Sequence, residues 1–273
     1  MHNQLCEQTA TSGLERDIDD ALTQLPKHSL ADLSNSKLMN RIDSKFLFPS
    51  SYLPEIITAC KEQYSALEIE GISKFHYRNL YFDTPELNYY HNHHNRKLNR
   101  HKVRHRHYSD TEISYLEVKF KNNKGRTIKT REEVGNKPND ALTSNHCFLL
   151  EQGIKSPHRL KPTQQCTYDR ISFTDQLRGE RITLDLNIQF ASLLGKDESA
   201  DSEREEVVEI SNFVIAELKQ AKLDRQSPFF RLMRKMSVRP QSFSKYCMGL
   251  SLTSGRPVKS NRFKSNILKL KGA

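Results

Sequence analysis

Tryptophan is absent from this chain, and its five cysteines (Cys6, Cys60, Cys147, Cys166, Cys247) form no C-x-x-C pair. Scattered and odd in number, they exclude a disulfide framework or a paired zinc motif and point to reduced thiols in a cytoplasmic protein. No apolar run approaches the ~20 residues of a membrane-spanning helix. Residues 1–20 lack both a basic start and an apolar stretch, so no secretion signal is expected. A glycine-rich phosphate loop, a Ser-His-Asp order and a His-Glu-x-x-His pair are missing, and no repeat of 20–50 residues recurs. Acidic residues are missing from one end: residues 225–273 hold 12 Lys or Arg and no Asp or Glu.

What is present is polar and cationic. The net charge is +10 over 273 residues, a length that suits one large domain or two small ones. Hydrophobic content is 36% and mean hydropathy −0.74, with 13 Phe and 10 Tyr to anchor a core. A second basic cluster spans 96–131, with 12 basic and 3 acidic residues. Clustering of this kind points to an anionic partner: phosphates, nucleic acid or an acidic membrane surface.

Periodicity predicts an amphipathic helix over 14–25, with Leu14, Ile18, Leu22 and Leu25 on one face, ended by Pro26. Further helices are expected over 29–39, 54–63, after Pro85, 138–152, 228–236 and 245–252. Strands are expected at 45–48, 66–70, 74–82, 99–108, 112–121, 126–134, 166–174, 181–190, 206–210 and 213–219. Asn122-Asn123-Lys124-Gly125 reads as a hairpin turn, and 196–206 as an acidic loop. The expected class is α+β: a closed antiparallel β barrel with helices packed outside. Residues 1–28 would form an N-terminal helical segment, 29–252 the main domain, and 253–273 a flexible basic tail.

The strands at 100–108 and 113–121 are inverted. Arg100, Lys102, Arg104 and Arg106 alternate along one, and Glu117, Lys119 and Lys121 along the other, with Leu116, Val118 and Phe120 on the opposite face. If the registers hold, Lys45, Arg104, Arg106, Lys119, Lys129, Arg131, Arg170 and Arg181 line one lumen together with Glu117, Asp185 and Glu217. So many cations repel one another unless a chain of phosphates supplies countercharge. Carboxylates beside phosphates suggest a divalent cation. Glu117 reads as a partner orienting Lys119 or an arginine, and Asp185 as either a second metal ligand or an arginine partner. His91, His93, His94, His101, His105 and His107 read as polar surface, because no Cys or carboxylate falls among them at ligand spacing.

Seven motifs occur in order: Arg41-Ile42-Asp43-Ser44-Lys45-Phe46, Tyr81-Phe82-Asp83-Thr84, Lys102-Val103-Arg104-His105-Arg106, Leu116-Glu117-Val118-Lys119, Tyr168-Asp169-Arg170, Ala216-Glu217-Leu218-Lys219 and Ser244-Lys245-Tyr246. The set resembles the VTC domain, the polyphosphate-polymerase-like branch of the triphosphate tunnel metalloenzymes, over roughly residues 29–250. The resemblance implies a tunnel of eight antiparallel strands that takes ATP or another triphosphate and threads inorganic polyphosphate. It implies that Lys45, Arg104, Arg106, Lys119, Arg170 and Arg181 bind phosphates, with Lys129 and Arg131 on a further basic strand. It also implies that Tyr168 hydrogen-bonds a phosphate, that Glu217 holds Mn²⁺ or Mg²⁺, and that Ser244 and Lys245 close one mouth.

Two stretches depart from the pattern. The Glu-x-Glu-x-Lys start of related tunnel enzymes is here Arg41, Asp43, Lys45, and Ser242 replaces a basic residue. The implied activity is metal-dependent phosphoryl transfer from a nucleoside triphosphate to polyphosphate. Hydrolysis of triphosphate, or binding of polyphosphate or nucleic acid without catalysis, are the alternatives. Nucleic acid is disfavoured by the sparse aromatics of 96–131, which number only Tyr108, Tyr115 and Phe120.

Overall fold

The computed structural model describes residues 2–33, 42–195, 207–255 and 257–271. Arg41 and the expected acidic loop at 196–206 lie outside the described residues, as does most of the expected helix over 29–39.

In chain order the elements are α1 (His2–Thr23), β1 (Lys27–His28), β2 (Ile42–Pro49), α2 (Leu53–Cys60), β3 (Ser65–Leu67), β4 (Lys74–Asp83) and α3 (Asn88–His94). Then come β5 (Arg100–Tyr108), β6 (Ile113–Lys121), β7 (Thr127–Val134), α4 (Pro138–Ser144), α5 (His146–Glu151), β8 (Lys161–Asp175) and β9 (Glu180–Ser192). The last are β10 (Val207–Ile210), β11 (Phe213–Gln220), α6 (Pro228–Lys235), α7 (Lys245–Thr253) and α8 (Lys264–Lys271).

Ladders order eight strands β2-β11-β9-β8-β4-β5-β6-β7, with β10 on β9, β3 on β8, and β1 parallel to β3. The architecture is mixed, a large antiparallel sheet with eight α-helices among the described residues. Hydrogen bonds do not close it, which corrects the closed-barrel expectation: among the described residues no ladder joins β2 to β7. The outer strand β7 is mostly exposed and bears Lys129, Arg131, Glu132 and Glu133, charges that discourage further edge pairing.

The chain divides into two units. The first comprises 1–75, 169–187 and 211–242. Alternation puts Phe46 and Phe48 of β2, Ile182, Leu184 and Leu186 of β9, and Val214, Ala216 and Leu218 of β11 into one apolar cluster. Ile18 and Leu22 of α1, Leu53, Ile56 and Ile57 of α2, and Phe229, Phe230 and Met233 of α6 cover it. The rings of Phe229 and Phe230 meet Phe46 edge-on at 5.7 and 5.5 Å. Helix α6 is set by Pro228 in its first turn and by the Ser227 hydroxyl, which accepts from the Phe230 amide at 3.3 Å. The expected amphipathic helix is present, although α1 starts earlier, at His2.

The second unit comprises 76–168, 188–210 and 243–273. Val103, Leu116 and Val118 join Phe82, Leu142, Leu149, Ile154 and Leu160 in its apolar cluster beneath α4 and α5. The single helix expected over 138–152 is two, because Asn145 leaves helical geometry (φ −114, ψ 33) and its side chain donates to the Ala141 carbonyl at 2.7 Å. Helix α7 lies so close to β8 that a Cβ on Gly249 would sit 1.5 Å from Gln164 Nε2. Helix α8 occupies 264–271, within the segment expected as a flexible tail. Tyr90 Oη donates to the Lys259 carbonyl at 3.0 Å, and the Phe263 ring lies 6.3 Å from that of Tyr90.

The histidines require a correction. His94, His105 and His107 are buried rather than on a polar surface. His105 Nε2 pairs with the Gly135 carbonyl at 2.9 Å and His107 Nδ1 with the Ser114 hydroxyl at 2.9 Å, so backbone and hydroxyl partners satisfy their rings inside the fold.

Candidate phosphate-binding faces

In the second unit the face of β5, β6 and β7 opposite the apolar cluster is charged. The registers Lys102–Lys119–Lys129, Arg104–Glu117–Arg131 and Arg106–Tyr115–Glu133 place these side chains side by side. Glu117 is fully buried at the centre. Arg104 donates to its Oε2 from Nε at 2.6 Å and approaches it with Nη2 at 2.5 Å, while Lys129 Nζ pairs with Oε1. Arg106 Nε lies 3.9 Å from Oε2.

Strand β4 holds both guanidinium groups from the other side. Asn79 Oδ1 accepts from Arg106 at 3.0 Å and the Tyr81 hydroxyl from Arg104 at 3.4 Å. Arg106 Nη2 also donates to the Tyr168 hydroxyl at 3.0 Å, and Lys245 Nζ sits 4.5 Å above the Tyr168 ring. Ser244 caps α7, accepting from the Cys247 amide at 3.3 Å, and also accepts from Lys102 Nζ at 2.8 Å.

Burial alone would push the Glu117 carboxyl up. Arg104, Arg106, Lys129 and Lys119 more than reverse this and hold it well below the usual carboxylate range. Burial, only partly offset by Glu117, brings the Lys129 ammonium down to about 8.

The first unit repeats the arrangement on β2, β11 and β9. Lys45–Glu217–Thr183 and Asp43–Lys219–Arg181 stand in register on the face opposite the phenylalanines. Glu217 is gripped by Lys45 Nζ on Oε1 at 2.7 Å and by Lys219 Nζ on Oε2 at 3.3 Å. Arg170 makes a two-pronged pair with Asp185, at 2.5 and 2.8 Å. Burial lowers Lys219 to about 8, with Glu217 opposing the shift and Arg170 and Lys45 adding to it.

The predicted residues thus fall into two sets. Arg104, Arg106, Lys119, Lys129 and Arg131 share one face, joined by Tyr168 and Lys245. Lys45, Arg181 and Glu217 share the other, where Arg170 pairs with Asp185. Asp185 accepts from Arg170, and Glu117 accepts from Arg104. Lys219 and Tyr81, present in the motifs but given no role there, and Asn79, which no motif contains, also join these clusters. The Glu217-x-Lys219 alternation on β11 was a readable signal for Lys219, whereas nothing in the spacing joins Asn79 to Arg106, 27 residues away.

Among the described residues no three His, Cys, Asp or Glu side chains converge as a metal cage. A hard divalent cation needs only one or two carboxylates when phosphate oxygens and water complete its shell. Glu217, whose two oxygens carry Lys45 and Lys219, shares its face with Asp43, so that face offers the one or two carboxylates such a cation needs.

No curated protein matches this chain. Among solved structures, a candidate adenylate cyclase from Bacillus halodurans is similar at 15% identity with a TM-score of 0.49, covering 75% of this chain and 94% of that one. A protein from Hippeastrum, described as having a dominant triphosphatase activity, is similar at 14% identity with a TM-score of 0.47, covering 78% and 96%. A candidate adenylate cyclase from Vibrio parahaemolyticus is similar at 13% identity with a TM-score of 0.44, covering 77% and 97%. The family model of the VTC domain matches residues 40–254, well over half of the sequence and inclusive of both charged faces, so the chain belongs to the VTC domain family.

Proposed function

We propose that the protein binds ATP or another nucleoside triphosphate together with a divalent cation and transfers the terminal phosphoryl group to inorganic polyphosphate. The observation that carries this reading is the gathering of Arg104, Arg106 and Lys129 around one buried carboxylate in a chain of the VTC family. A carboxylate so placed holds the cations in position until an anionic substrate arrives. Arg104, Arg106, Lys119, Lys129 and Arg131 bind phosphate oxygens on one face, and Lys45, Arg170 and Arg181 on the other. Tyr168, whose hydroxyl already accepts from Arg106, adds a hydrogen bond. Lys245 over its ring and Ser244 at the α7 cap complete the phosphate contacts.

Glu217 would hold Mn²⁺ or Mg²⁺. An ion held there would supply neutralisation of the negative charge that develops on the phosphates. The chain itself supplies positioning and fixed positive charge, and no protein nucleophile is required.

No helix among the described residues is long and apolar enough to cross a membrane. The buried Cys60, Cys166 and Cys247 side chains join no disulfide, in keeping with a cytoplasmic site of action. Product analysis with ATP and manganese tests the reading. Long polyphosphate chains are the expected product. Orthophosphate alone would make the protein a hydrolase, and tight binding without turnover would make it a carrier.

The lysines give the reaction a pH dependence. Lys129 and Lys219, lowered to about 8, lose charge as pH rises through that value, so ATP affinity weakens above it. Stability moves the other way. Between about 8 and the ordinary lysine value of 10.5 the unfolded chain binds more protons, so unfolding free energy rises with pH in that window. Calorimetric titrations at stepped pH should show binding coupled to proton uptake near pH 8, and Lys129→Met should flatten the profile. Affinity that stays level to pH 9.5 would refute the assignment of these lysines.

A further inference from the structure

The charged face of the second unit changes character along its length. At one end Arg100 stands opposite Lys121, and Lys102 opposite Lys119 and Lys129, with no carboxylate at those ladder positions. In the middle Glu117 separates Arg104 from Arg131. At the far end the face becomes aromatic. Tyr108 lies 4.9 Å from Tyr77 and 5.9 Å from Tyr115, the latter pair perpendicular. The guanidinium of Arg106 sits 5.2 Å from the Tyr77 ring and 5.8 Å from that of Tyr108, and Arg131 sits 4.3 Å over Tyr115. Tyr77 is buried, whereas Tyr108 and Tyr115 are partly exposed.

Tyrosine rings paired with guanidinium planes recognise flat heteroaromatic groups by stacking and cation–π attraction, and add little to a bare phosphate chain. Arg104, Arg106 and Tyr108 are successive same-face residues of β5, roughly 7 Å apart, so the ring begins one such step past the last phosphate-binding guanidinium. A ribose bridges a gap of that order. We propose that Tyr108 and Tyr115 form the nucleoside end of this face. The base of the triphosphate stacks there, and its phosphates run past Arg106 and Arg104 toward Lys102 and Arg100. The polarity makes the protein selective for nucleoside triphosphates over inorganic tripolyphosphate and tolerant of base identity, since every base offers a π face. The inference rests on the phosphate-binding reading above and adds the substrate's orientation.

The test is calorimetric binding of ATP and of inorganic tripolyphosphate, each with manganese, to the full chain and to Tyr108→Ala, Tyr115→Ala and Tyr108→Phe. The ratio of the ATP to the tripolyphosphate Kd should rise about tenfold in the alanine variants and stay within about twofold in Tyr108→Phe, which keeps the ring. Thermal melts check folding, and leucine replaces alanine where a variant fails to fold. An unchanged ratio, or an equal loss of affinity for both ligands, overturns the proposal by making the rings structural. Binding needs no turnover. Wild-type selectivity for ATP that Tyr108→Ala abolishes supports the site even where no phosphoryl transfer is detected, a result that would overturn only the function proposed above.

Discussion

Glu117→Gln is expected to lower the unfolding free energy by about 3–5 kcal/mol, because it removes the carboxylate that compensates two buried arginines, with Lys129 beside them. The side chain is fully buried, and Arg104, Arg106 and Lys129 all lie against it. Glutamine preserves the shape but not the charge, so the loss isolates electrostatics from packing. Urea unfolding at pH 7 measures it. The wild-type advantage should persist through mildly acidic pH. The folded carboxyl lies well below its ordinary value, so the stabilisation is present above the unfolded pKa and fades only as pH falls through the folded one. Tripolyphosphate should recover part of the loss, since an anion bound by the same cations replaces the missing charge. A variant as stable as wild type would show that these cations need no countercharge.

Arg104→Ala and Lys45→Ala are expected to reduce turnover of ATP by roughly 10²–10³, the usual cost of removing one fixed positive charge from a transition state that develops negative charge. Arg104→Ala also strips Glu117 of the guanidinium that holds its Oε2, so assays belong well below the melting temperature. Arg104→Lys separates the roles. It restores charge without the fork, and should recover KM more than kcat if the guanidinium aligns phosphate oxygens. Arg131→Ala should cost far less, because that side chain is exposed and stacks on Tyr115. Equal kcat in all three alanine variants would remove these cations from catalysis.

Strand identity and face were largely legible. The alternation at 100–108, 113–121 and 181–190 reads directly as β5, β6 and β9, and the helices after Pro54 and Pro228 form where their periodicity places them. A period of two reports which residues share a face but not what lies over it. Hence the burial of His94, His105 and His107 was invisible in the spacing. The break at Asn145 was missed because an asparagine inside an apolar period reads as helix until its side chain bonds the backbone. Strand β8 begins five residues before its expected start at 166, beyond Pro162, which the pattern treats as a breaker although proline is tolerated near a strand's beginning. Asp83 accepts from the Tyr89 and Tyr90 amides, both at 2.9 Å, and from the Tyr246 hydroxyl at 2.5 Å, 163 residues away. Long-range side-chain pairs such as this one, Lys102–Ser244 and Arg106–Tyr168 are set by topology and leave no local trace.

The most direct measurement is a crystal structure of the full chain with tripolyphosphate and manganese. Phosphate oxygens within hydrogen-bond distance of Arg104, Arg106 and Lys129, or of Lys45, Arg170 and Arg181 together with a metal on Glu217, are the expected result. Phosphates seated elsewhere, with these cations still paired to Glu117, Glu217 and Asp185, would contradict the assignment.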